Sequence, residues 1–237
     1  NGAYEIPKFV SELIISPSER RIVDIYAGKI GNYKLQNVTP KNTYDLAQIN
    51  IIEADTKQNI NTLHSFFEIE NNLAAIKDID IYRKYFNNKV DKRLQIKLDM
   101  NMGTVNKDGI EWEDARMNMM DSVDKTKWKI IDMDTDKDNM NINWNLEKDK
   151  PIIIEINNPS TGMHTMQHPI HFHGERFLVL ARNDIKENDM AWKDTVLVPS
   201  GQKVKILLDT SNPGDWMAHC HIAEHLATGM MFGFTIK

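Results

Sequence analysis

Seven of the chain's eight histidines and its single cysteine fall between positions 164 and 225 of 237. This clustering constrains the fold more than any other feature. One cysteine forms no intramolecular disulfide, so the chain must be held by packing or by metal. The densest stretches are His168-Pro169-Ile170-His171-Phe172-His173-Gly174 and His219-Cys220-His221-Ile222-Ala223-Glu224-His225, the second followed by Gly229-Met230.

The segments around them read as short strands. Two-residue alternation or β-branched runs occur at 10–16, 21–26, 33–38 and 46–53. A second series follows at 93–100, 128–133, 151–157, 171–183, 195–199, 203–209, 216–221 and 231–236. Turn chemistry separates them at Ser16-Pro17-Ser18, Thr39-Pro40, Ser200-Gly201 and Asn212-Pro213-Gly214. Helical signal is confined to 79–85 and 222–228, and 132–150, acidic and rich in Asn, reads as a solvated loop and strand edge. Many short strands with regular turns predict an all-β sandwich or barrel. The expected boundary lies near 87–93, with a partial domain over 1–90 and a complete one over 91–237.

Strand geometry converts the histidine spacing into two faces, because successive side chains point to opposite sides. His219 and His221 share one face while Cys220 takes the other. His171 and His173 share a face, and His168, three positions earlier and before a proline, can take the opposite one. The Cys220 face gathers His168, His225 and Met230. Two imidazoles, a thiolate and a weak thioether form the ligand set of a blue-copper electron-transfer site. The other face gathers His171, His173, His219 and His221, an all-imidazole set suited to further copper. Peptide bonds join Cys220 to His219 and His221, so the two sites are linked by a short covalent path.

The two segments resemble the paired carboxy-terminal copper motifs of multicopper oxidases, His-Pro-x-His-x-His-Gly and His-Cys-His-x-x-x-His-x-x-x-Gly-Met. The resemblance extends to Trp192-Lys193-Asp194-Thr195-Val196 and Pro213-Gly214-Asp215-Trp216, and loosely to Ser16-Pro17-Ser18-Glu19-Arg20 and to 46–51 upstream. It implies a cupredoxin-like Greek-key β-sandwich, complete over 91–237 and preceded by the end of a second such domain. It assigns His168, Cys220, His225 and Met230 to a type 1 copper, His171 to a type 2 copper, and His173, His219 and His221 to a binuclear type 3 pair. The implied activity is one-electron oxidation of a small reductant (a phenol, an aromatic amine or Cu(I)) coupled to reduction of dioxygen to water. In that scheme His168, Cys220, His219 and His221 carry the electrons. The alternative is a non-enzymatic blue-copper electron carrier.

The family's oxygen-reducing cluster takes eight histidines, half of them from two His-x-His motifs in an amino-terminal domain. This sequence offers four for that face, and its only upstream histidine, His64, is isolated. The chain is therefore expected to be a carboxy-terminal piece with a complete type 1 site and partial type 2 and type 3 sites. A missing amino-terminal domain or another chain would supply the rest. Leu226 stands where some bacterial members carry an acidic residue after the last motif histidine, so no proton-delivery role is assigned there. The resemblance also implies a periplasmic or secreted location. The chain opens on Asn1 without a basic-then-apolar leader, which is expected of a processed product or a piece.

Several residues admit two readings. His and Cys also bind zinc, but a structural zinc site needs neither a methionine at the axial spacing nor a second all-histidine face. Met230 is a thioether ligand or a core residue beside Met231. Met100, Met102, Met117, Met119 and Met120 recruit Cu(I) or fill a core or channel. His164, Met163 and Met166 precede His168 closely and are candidates for the reductant's entrance. Asp194 is a candidate for orienting a ligand imidazole. Gly174 and Gly229 read as permitting close packing.

Charge and hydropathy exclude other partners. Twenty-nine basic residues against 34 acidic give a net charge of −5, spread along the chain, which argues against nucleic acid or an anionic surface. No apolar run approaches the length of a membrane span.

Overall fold

The computed structural model describes residues 2–39, 42–53, 68, 70–100, 126–160 and 166–237. His64, Met102, Met117, Met119, Met120, Met163 and His164, and the side chain of Met100, lie outside that description. Residues 1–21 and 71–237 form one compact unit and 22–70 a second. The units are drawn by packing, and position 90, where the sequence expectation put a boundary, falls inside the first. Among the described residues the smaller unit contains one antiparallel hairpin, β1 (Gly31–Val38) with β2 (Thr43–Ile51).

The larger unit is built from two sheets. One runs in the order β10 (Ile185–Lys186), β9 (Phe177–Arg182), β12 (Gln202–Leu208), β7 (Ile152–Asn158), β3 (Lys92–Met100), β4 (Thr126–Asp132), β5 (Lys137–Asp138). The other runs β11 (Thr195–Val198), β8 (His168–Phe172), β13 (Gly214–Cys220), β14 (Met231–Ile236), β6 (Asn143–Leu146). The all-β reading is what the structure has. Among the described residues helix is limited to α1 (Leu73–Asp80), α2 (Ala223–Ala227) and short 3-10 turns at Arg83–Tyr85 and Asn139–Asn141. Among the described residues no helix is long and apolar enough to cross a membrane.

Alternation along the strands builds the core. Leu94, Ile96, Trp128, Ile130, Ile154, Ile156, Val204, Ile206 and Leu208 of the first sheet pack with Ile170, Phe172, Ala218, Cys220, Phe232 and Phe234 of the second. The intervening residues Ile153, Leu178, Leu180 and Leu207 point the other way, onto α1 through Ile79. The central strands of the larger sheet are thus buried on both faces, which is why they read as continuous apolar runs.

Three expectations are corrected. Segments 10–16 and 21–26 are not strands, since their β-branched residues find no ladder partner among the described residues and remain largely exposed. The 132–150 stretch is not simply a solvated loop: β6 alternates exposed and buried, placing Trp144 and Leu146 in the core beside Ile142. The expected strand over 171–183 is two strands, β8 and β9, broken at Gly174, whose φ of +72° no strand tolerates.

Candidate metal centre

The register of β8, β11 and β13 positions the site. β13 pairs antiparallel with β8, setting His219 opposite His171, Cys220 opposite Ile170 and Ala218 opposite Phe172. Side chains at 168, 170, 172, 218 and 220 therefore enter the core between the sheets, while those at 171, 173 and 219 leave by the outer face. The chain past Cys220 turns into α2, which brings His225 back under the sheet, fully buried.

Inside the core, three ligand atoms converge. The Cys220 sulfur lies 3.4 Å from Nδ1 of His225 and 3.7 Å from Nδ1 of His168, and the two nitrogens are 3.1 Å apart. All three residues are essentially inaccessible to solvent. A point equidistant from the three atoms is about 2.0 Å from each, a normal metal–imidazole length. Met230 is fully buried, with its amide donating to the His225 carbonyl at 3.0 Å and its carbonyl accepting from the Cys220 amide at 3.1 Å. A donor set of two imidazoles and a thiolate with a methionine tied to the same loop fits copper in electron-transfer form, where the soft sulfurs suit Cu(I) and the nitrogens Cu(II).

On the outer face, one ligand nitrogen from each of His171, His173 and His219 lies within 4.8 Å of the others. Nε2 of His173 is 2.9 Å from Nε2 of His219. His221 is exposed and sits outside that trio, its ring stacked on His219 at 5.4 Å and 5.8 Å from His171. Two of these rings are oriented from behind. Nδ1 of His171 meets the Asp194 carbonyl at 2.9 Å and Thr195 Oγ1 at 3.0 Å, and Nδ1 of His219 meets the Cys220 carbonyl at 2.8 Å. A carbonyl only accepts, so each Nδ1 carries the proton and each Nε2 lone pair is left for a metal. Burial is the main cause that lowers both imidazoles below their ordinary pKa, keeping them neutral and ready to ligate.

Asp194 does orient His171, but through its backbone. Its carboxylate is 3.9 Å from His171 Nδ1 and instead binds Arg20 (2.5 and 3.2 Å) and the Thr195 hydroxyl (3.1 Å). Met166 is buried, and its carbonyl accepts from Asn158. Gly174 packs against the Trp216 ring so closely that a Cβ there would lie 2.2 Å from it. The sequence reading missed Trp128, whose indole lies 4.1 Å from the His225 ring and 4.7 Å from that of His168. Its only sequence signal was the parity it shares with Ile130 on β4.

An all-β sandwich with a Cys-His-His cluster inside and imidazoles behind it defines a cupredoxin-like copper protein. The family model described as multicopper oxidase matches residues 109–237, more than half the chain, and the chain belongs to that family. "Multicopper oxidase mco" of Staphylococcus aureus is 43% identical over 79 residues, 32% of this chain and 18% of that protein. A laccase of Neurospora crassa is 32% identical over 95 residues, 32% of this chain and 15% of the laccase. The solved multicopper oxidase from Campylobacter jejuni, described as a metallo-oxidase, aligns with 89% of this chain and 42% of its own, at 19% identity and a TM-score of 0.55, which establishes the likeness of fold. The matched stretch spans less than a fifth of the staphylococcal and fungal relatives.

Proposed function

We propose that the chain forms the carboxy-terminal copper-holding part of an oxidase that takes electrons singly from a small reductant and delivers them to dioxygen. Cys220, His168, His225 and Met230 would hold a type 1 copper, His171 a type 2 copper, and His173, His219 and His221 part of a type 3 pair. When bound, copper supplies reversible one-electron chemistry at the Cys220 cluster and multi-electron capacity at the histidine face.

The chain's own residues do the rest. Burial of Cys220, His168 and His225 excludes water from the thiolate and fixes the ligand triangle before any metal enters. The backbone from Cys220 to His219 and His221 provides a through-bond route across the sheet. The Asp194 and Cys220 carbonyls hold His171 and His219 with Nε2 outward.

The observation that carries this reading is the convergence of the Cys220 sulfur with His168 and His225 on one side of a strand whose preceding residue, His219, joins His171 and His173 on the other. A location outside the cytoplasm, and a phenol, an aromatic amine or Cu(I) as reductant, belong to the same reading by family likeness. A second reading, a blue-copper electron carrier without oxygen chemistry, is favoured by the buried Cys220–His168–His225 triangle, which this chain builds from its own residues. Copper loading followed by oxygen-uptake measurements with a phenol or Cu(I) decides between them. On the oxidase reading the 237-residue chain alone turns blue yet consumes no oxygen, and uptake appears only once the remaining histidines are supplied. A chain that gains no uptake with them is an electron carrier.

A further inference from the structure

We propose that Trp128 is a positioning residue of the Cys220 site, the wall that sets the two imidazoles and keeps the site dry. The inference rests on the copper reading of that site given above. Trp128 lies on β4, in the sheet opposite β8 and β13, and reaches the site from across the core. Its parity with Ile130 and Asp132, all buried, forces the indole inward.

The indole touches both nitrogen ligands at once. Its ring lies 4.1 Å from that of His225 with the planes tilted by 32°, and 4.7 Å from that of His168, edge-on at 66°. The imidazoles are themselves 4.9 Å apart. A ring packed partly over one ligand and edge-on to the other blocks rotation of either, and such aromatic contacts are directional.

The indole is in turn held from behind. Asn139, in a 3-10 turn at a φ of +45°, donates from Nδ2 to the Trp128 carbonyl at 2.9 Å and accepts at Oδ1 from the Ile130 amide at 2.8 Å. The strand backbone just past the indole's attachment, on either side of Lys129, is thereby clamped. Asn139 also lies 3.6 Å from where a Cβ of Gly229 would stand, next to Met230. One side chain thus braces the Trp128 backbone and abuts the loop that carries the methionine.

The consequence concerns the copper couple. Water stabilises the more highly charged oxidised state, so an apolar wall that excludes it raises the reduction potential. Trimming the indole to an aliphatic side chain leaves a void beside the imidazoles and frees their rings.

The test compares the wild-type chain with Trp128→Leu, Trp128→Phe and Asn139→Ala, each checked for native circular dichroism. In the metal-free proteins, the His225 ring protons should be shifted by the indole ring current in wild type, and that shift should vanish in Trp128→Leu. After Cu(II) loading, Trp128→Leu should show a displaced or broadened blue band and a lower reduction potential, with Trp128→Phe returning both towards wild type. Asn139→Ala, which keeps the indole but releases its backbone, should move the potential the same way by a smaller amount. If Trp128→Leu does not fold, Asn139→Ala carries the test, and an unchanged potential there overturns the proposal. Folded Trp128→Leu with a wild-type band and potential also overturns it. A wild-type chain with the expected ring-current shift but no blue band on copper loading instead refutes the copper reading, and this proposal with it.

Discussion

His171 and His219 stand opposite one another in the β8–β13 pairing, and the next residue along, Cys220, stands opposite Ile170. This one register sorts the ligands into two sets. A slip of one residue would reverse every side chain's face and bury the imidazole pair while exposing the thiol. The sheet therefore does more than support the site: its hydrogen-bond ladder decides which side chains meet on each face.

His171→Ala should separate the two faces. Its imidazole leaves by the outer surface, and its Nδ1 is engaged by Asp194 and Thr195, away from the Cys220 triangle. The copper-loaded variant should keep its blue absorption. Oxygen uptake, measured with the remaining cluster histidines supplied, should fall to background.

Gly174→Ala should be strongly destabilising. The backbone there has a φ of +72°, and the added methyl would lie 2.2 Å from the Trp216 ring. That ring cannot easily move, because its Nε1 donates to the Asn212 carbonyl at 3.0 Å while Asn212 Nδ2 donates to the Gly174 carbonyl at 2.9 Å. A loss of about 2–4 kcal/mol is expected in denaturant unfolding, from backbone strain and overpacking together. Combining it with Trp216→Ala should cost less than the sum of the two single changes.

The Glu19–Lys193 pair should make stability fall in acid. Burial alone would raise the Glu19 carboxyl, but bonds from Lys193 (2.8 Å), the Ser16 amide (3.1 Å) and Arg21 (3.2 Å) outweigh it and hold the group below its ordinary 4.5. A carboxyl lowered in the folded state binds its proton more weakly there than in the unfolded chain. The stability it adds is thus present above 4.5 and disappears as the pH drops through the lowered folded value. Glu19→Gln should cost on the order of 2–4 kcal/mol at about pH 7, by leaving the buried Lys193 ammonium without its partner. Unfolding of the variant should also depend less on pH below 4.5 than unfolding of wild type.

Much of the larger unit was legible from sequence because its strands carry the two-residue period directly: β14 coincides with its expected span, and β3, β7, β11 and β12 differ from theirs by a residue at one end or at both. The two-face sorting of Cys220 against His219 and His171 was legible for the same reason. The smaller errors have physical causes. The helix expected over 79–85 lies at Leu73–Asp80, started by Asn72, whose side chain accepts from the Ala75 amide, and only a 3-10 turn occupies Arg83–Tyr85. Trp144 looked like loop because β6 is four residues long and gains its order from parallel pairing with β14, a long-range partner no local pattern announces. Trp128 was invisible as a site residue because its contact with His168 and His225 spans the two sheets.

The most direct test of the central claim is the visible spectrum of the chain titrated with Cu(II), for wild type and for Cys220→Ser. The account predicts an intense blue thiolate-to-copper band in wild type, saturating as one ion enters the His168–Cys220–His225 triangle, and its complete loss when the sulfur is replaced by oxygen. A blue band that survives Cys220→Ser, or a wild-type chain that binds copper without colour, would contradict it.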